Sequence, residues 1–127
     1  MTILFEAHSG LRYLVLLAGA IALLWFLAGW ILRKPYGPPA PAAFGAFLGL
    51  LDLQGLLGIA MWIGGRRAPG IVDHLMLMLG AVLVVHLASV VHRRRPRPVG
   101  YGMPLAAVTV ALALIVIGIL ALGRGIV

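Results

Sequence analysis

The feature that most limits what this chain can fold into is a series of four long apolar stretches separated by short breaks of proline, glycine and arginine. They cover residues 8–32, 42–64, 71–92 and 104–123. A helix crossing a bilayer needs about 20 predominantly apolar residues, and inside hydrocarbon every backbone polar group must be bonded within the segment. The first stretch carries no charge after Arg12. The second is interrupted only by Asp52 and Gln54, and the fourth holds no ionisable group. The breaks read Arg33-Lys34-Pro35-Tyr36-Gly37-Pro38-Pro39, Gly64-Gly65-Arg66-Arg67-Ala68-Pro69-Gly70 and Arg93-Arg94-Arg95-Pro96-Arg97-Pro98. They are turn chemistry flanked by basic anchors. Short connections make successive helices antiparallel, so the sequence predicts one all-α domain over 1–127, a transmembrane up-down four-helix bundle.

Composition excludes the main rivals. Hydrophobic residues make up 63% and charged residues 10%, against about 45–50% and 25% in soluble domains. A water-soluble enzyme does not fit these values, and neither does a disordered chain. With no cysteine there is no disulfide framework, thiolate zinc site, cysteine-ligated iron–sulfur cluster or thioether-attached haem. The first stretch reads as a retained helix. Glu6 and His8 stand where a signal peptide has its basic region, and the apolar run is too long for one. No P-loop, GxGxxG, HExxH or GxSxG pattern occurs, so any chemistry must sit inside the bundle or at its rims.

Basic residues set the expected orientation. The first and third breaks hold Arg33, Lys34, Arg93, Arg94, Arg95 and Arg97; the second break and the C-terminus hold Arg66, Arg67 and Arg124. The positive-inside rule then places both termini outside and the arginine-rich break in the cytoplasm of a bacterial inner membrane. The formal charge of +7 follows from topology and anionic headgroups. Residues 93–97 contain no interleaved aromatics and read as an inside anchor, so no nucleic-acid partner is expected.

Ionisable groups at membrane depth are costly and therefore candidates for function. They are His8, Arg12, Asp52, Asp73, His74 and His86, with Gln54 as an uncharged companion. His92, beside Arg93, reads as solvated at the rim. His8 and His74 begin two helices that should run parallel, at similar depth. Two histidines facing one another are what a six-coordinate b-type haem requires. Arg12 lies one turn beyond His8, about 40° around the helix, where it needs an anion: a haem propionate, Asp73 or a lipid phosphate. His86 is twelve residues beyond His74, about 18 Å along the axis, and cannot share its site.

Asp52 shares a face with Gly45 and Gly49, a small-residue stripe ending in a carboxylate, so Asp52 should face a neighbouring helix rather than lipid. Its chemistry is open between proton or quinol work, a hydrogen bond to a ligand histidine, and an interhelical bond. Gln54 points elsewhere, with Gly58 and Met61. Met78, at i+4 from His74, and Met61 raise a copper alternative, because Cu(I) favours thioether and imidazole donors. The fourth helix reads as a lipid- or partner-facing wall without a site.

Three segments resemble a known group. They are His8-Ser9-Gly10-Leu11-Arg12-Tyr13-Leu14, Asp52-Leu53-Gln54-Gly55-Leu56-Leu57-Gly58 and Asp73-His74-Leu75-Met76-Leu77-Met78. The chain is similar to small four-helix bacterial membrane proteins labelled cytochrome-b-like or left uncharacterised, over nearly its whole length. The resemblance implies roles for His8, Arg12, Gln54 and His74, with Asp73 at an acidic position. It departs at Asp52, where the group often has histidine.

Three functions are thus in view. The first is electron transfer through one haem b near the outer face, with His8 and His74 as ligands, Arg12 on a propionate and Asp73 orienting His74. Such a carrier is not an enzyme alone. It would work between quinone and a redox partner, or within a larger membrane complex. The second is a cofactor-free accessory subunit of a respiratory or photosynthetic complex. The third is copper handling by His8, His74, Met61 and Met78.

Overall fold

The structure is a computed structural model that describes residues 1–123 and 125. It contains α1 (Thr2–Ile31), α2 (Pro39–Ile63), α3 (Ile71–Arg94) and α4 (Gly102–Ala121). All four are long and apolar enough to cross a membrane.

Local chemistry explains the boundaries. α1 begins at Thr2 rather than near residue 8, because no breaker separates Ile3, Leu4 and Phe5 from the apolar run. The Phe5 ring is also held under the Arg66 guanidinium at 4.3 Å. α2 opens on proline, whose missing N–H is harmless in a first turn. α3 is preceded by Gly70 in the left-handed region, φ 73°. It ends where Arg95 turns extended, the conformation that Pro96 favours in the residue before it.

The helices form a closed ring: α1 packs on α2 and α4, and α3 packs broadly on α4 and more sparsely on α2. Close-packed glycines mark the tight seams. A Cβ on Gly19 would lie 2.6 Å from Leu112 and 2.9 Å from Phe47. One on Gly29 would lie 2.5 Å from the Tyr101 ring. The core between them is Val15, Ala22, Phe26, Phe47, Val85 and Val108, all at or below 2% exposure.

The outer faces of the helices are strongly apolar. Leu17, Ile21, Leu24, Leu56, Leu83 and Ile117 are more than half exposed. A soluble monomer rarely shows contiguous apolar patches beyond a few hundred Å². Helices that are apolar on every side suit a hydrocarbon surrounding.

Aromatic rings close the end formed by the first and third connections. Tyr36 sits with ring centroids 5.0 Å from Tyr101, 6.5 Å from Phe26 and 4.7 Å from His92. Burial pushes the Tyr36 phenol above its ordinary 10.0, and the neighbouring Tyr101 phenol adds to the shift. A folded value above the unfolded one means the folded state keeps its proton longer. The associated stability is complete below pH 10.0 and is lost as pH rises through the folded value. Tyr36→Phe is expected to remove this alkaline component, read as a flatter dependence of melting temperature on pH above that point.

Candidate functional site

The polar side chains converge at the opposite end. His8 and Arg12 project from α1, Gln54 from α2 and His74 from α3, and α4 contributes a backbone carbonyl. The His8 and His74 rings have centroids 6.4 Å apart and stand 80° to one another. His74 is 8% exposed, and its Nδ1–H donates to the Gly118 carbonyl at 2.8 Å. Nδ1–H of His8 donates to the Gln54 carbonyl at 3.1 Å. Each assignment leaves Nε2 as the ring's lone-pair nitrogen. The Gln54 amide Nε2 lies 3.3 Å from Nε2 of His8 and donates to the His8 carbonyl at 2.9 Å.

Glycines make room for both rings. A Cβ on Gly58 would come within 3.2 Å of the His8 ring, and one on Gly118 within 3.6 Å of Nδ1 of His74 and 2.6 Å of the Met78 methyl. Three separate voids border the pair. A cleft of ≈ 210 Å³ opens toward Phe5, Met61 and Trp62. A cavity of ≈ 40 Å³ reaches Arg12, Met78 and Ile115, and one of ≈ 30 Å³ reaches Gly55 and Val82. Both imidazoles border all three.

Two polar atoms here are buried without a hydrogen-bond partner among the described residues, Arg12 Nε and Gln54 Oε1. Most buried polar atoms are bonded, so each marks unmet bonding capacity beside the histidines. The rest of the Arg12 head is held by Tyr13: Nη2 donates to its hydroxyl at 2.7 Å, and the guanidinium lies 4.7 Å from its ring.

The structure thus brings together His8, Arg12, Gln54 and His74, with Met61 on the wall of the larger cleft and Met78 on the walls of the two smaller cavities. Asp73 is exposed, and the Gly118 carbonyl holds the nitrogen it was expected to orient. α4, read from the sequence as a wall without a site, therefore supplies a direct partner. It is also the helix whose span is buried to the largest extent, 39%. His92 is corrected too. It is 8% exposed, buried against Tyr36 rather than solvated.

Asp52 and His86 form a separate pair across α2 and α3. Oδ2 and Nε2 are 3.4 Å apart, with side chains 36% and 46% exposed. Nδ1 of His86 donates to the Val82 carbonyl at 3.0 Å. Asp52 thus faces a neighbouring helix, as its small-residue stripe leads one to expect, but the glycines of that stripe pack against no helix within this chain. Gly45 and Gly49 would each carry a Cβ into open space.

Among the described residues no group of three or more His, Cys, Asp or Glu gathers as a metal cage. The donor set is two imidazoles, with thioethers nearby. No protein-family model, curated protein or solved structure matches this chain.

Proposed function

We propose that the chain is an up-down transmembrane bundle that carries electrons through one haem b, held between α1 and α3 by His8 and His74. The observation that carries this reading is the pair of imidazoles 6.4 Å apart. With metal–nitrogen bonds of about 2.0–2.1 Å, two imidazoles sharing one metal have ring centres about 6 Å apart. Metal-ligating histidines almost always donate their other N–H to a carbonyl or carboxylate. Both rings do so, to Gln54 and Gly118.

The chain's residues divide the work. Gln54 and Gly118 fix the tautomers and orient the rings. Were the group bound, the Gln54 amide would exchange its contact with Nε2 of His8 and could keep its bond to the His8 carbonyl. Arg12, with Nε unsatisfied, offers a charge-assisted partner to a carboxylate of the group. Haem, when bound, supplies reversible one-electron chemistry of iron. With a single such group the chain needs an outside donor and acceptor, a quinol and a partner redox protein or larger bacterial membrane complex.

Copper is the second reading, because Met61 and Met78 border the same cavities as the imidazoles. Void volume does not separate the two: of the spaces bordering the pair only the cleft of ≈ 210 Å³ is sizeable, and those of ≈ 40 and ≈ 30 Å³ hold a few waters each.

The test is a reduced-minus-oxidised spectrum with a pyridine haemochrome assay and metal analysis on protein purified in detergent. A b-type signal at one haem per chain is expected. A flat spectrum from folded protein made in haem-replete cells overturns the reading, and copper in place of iron selects the alternative. The proposed orientation places both termini outside the inner membrane. A reporter active only outside the cytoplasm is therefore expected to work at the N-terminus and to fail when inserted at Gly100.

A further inference from the structure

We infer that the cavity between α2, α3 and the third connection binds the phosphate of an anionic phospholipid. The site lies at the opposite end from the histidine pair and does not depend on the haem reading. The cavity encloses ≈ 450 Å³. Arg93, Arg95 and Arg97 border it; among the described residues no carboxylate lines it, and Asp52, beside its deeper wall, is paired with the lining His86 at 3.4 Å. Guanidinium groups bind phosphate through paired, charge-assisted hydrogen bonds.

A second observation points to the same ligand. His92 borders this cavity and is only 8% exposed. Its Nε2 is buried with no hydrogen-bond partner among the described residues. The ring borders the cavity together with Arg93, Arg95 and Arg97, and in the Nε2–H tautomer its unpartnered atom is a donor. The ring is fixed by Tyr36, with centroids 4.7 Å apart at 65°.

The deeper wall selects a lipid over a soluble phosphate. Phe44, Gly45 and Leu48 of α2 line it, along the α2–α3 seam, the most sparsely packed of the ring. The open face of Gly45 leaves that seam unfilled. A cationic mouth above an apolar slot matches a charged headgroup and its acyl chain, the arrangement by which basic pockets between membrane helices take anionic lipids.

The experiment uses the full chain, delipidated in neutral detergent, titrated with phosphatidylglycerol or phosphatidylcholine and read by native mass spectrometry. One phosphatidylglycerol per chain is expected, at an occupancy at least about tenfold above phosphatidylcholine. The double variant Arg95→Gln/Arg97→Gln is expected to lose that preference. His92→Phe, which keeps a ring against Tyr36, is expected to weaken retention with helical circular dichroism unchanged. Equal retention of the two lipids overturns the inference, as does wild-type retention by either variant. Displacement of the lipid by millimolar glycerol phosphate also overturns it and assigns the arginines to a soluble anion.

Discussion

His74→Ala is expected to abolish the b-type absorption of the purified protein, and His8→Ala to do the same, while Asp73→Asn leaves the spectrum intact. Each alanine removes one of two proposed axial ligands. Even the loss of an outer partner of a metal ligand typically costs about 10–100-fold in affinity, so loss of the ligand itself should empty the site. The Asp73 arm separates this geometry from its rival. If Asp73 oriented His74, its amide variant would weaken binding. With Nδ1 of His74 held by the Gly118 carbonyl at 2.8 Å, it should not. Haem retained at wild-type level in both alanine variants would remove His8 and His74 from the site, whatever the protein then binds. His74→Ala also leaves the buried Gly118 carbonyl without its side-chain donor, at a cost of about 1–3 kcal/mol. A parallel thermal melt therefore shows whether lost haem reflects lost ligation or a lost fold.

The contrast between Asp73 and Gly118 shows what a sequence of this kind discloses. Adjacent residues on a helix lie about 100° apart. If His74 faces the bundle axis, Asp73 must face away, and side-chain chemistry alone obscures that constraint. The partner that replaces it is a backbone carbonyl on a helix with no ionisable group, and no residue type advertises it. The four helices were legible because each is a long, predominantly apolar run of the length and composition a crossing segment needs. The meeting of His8 with His74 was legible because short connections fix which helix ends lie together. Gln54 was placed correctly on the face of Gly58 and Met61, but its bond to His8 depends on the rotation of α2, which uniformly apolar helices do not reveal. His92 was misread for a related reason. Its neighbours in sequence are arginines, yet its neighbours in space are Tyr36 and the connection that folds over it. Asp52 and His86 were each picked out as costly in a membrane. Their pairing needed the register of α2 against α3.

Gly70→Ala is expected to be the most damaging single methyl group that can be added to the connections, and its effect should reach the histidine site. Gly70 sits at φ 73°, where a side chain costs about 1–2 kcal/mol. Its added Cβ would also collide with the Ala121 carbonyl oxygen and lie 3.0 Å from the carbon behind it. Those atoms are backbone, so no rotamer change relieves the contact. The start of α3 must move away from the end of α4. The His74 amide donates to the Gly70 carbonyl at 3.0 Å, so the displacement passes directly to the turn that presents the imidazole to Gly118. A total loss of about 3 kcal/mol or more follows from strain and backbone overlap together. Gly65→Ala is the matched control. It shares a positive φ, 89°, but nothing lies within 4 Å of its Cβ, so it should cost only the conformational part, about 1–2 kcal/mol. Thermal melts of the two variants in detergent, with haem content measured on the same samples, check the difference. Equal destabilisation would mean that α3 and α4 do not meet closely at Gly70. A clear excess for Gly70→Ala, with haem lost in that variant alone, would tie the tight seam between these helices to the geometry of His74.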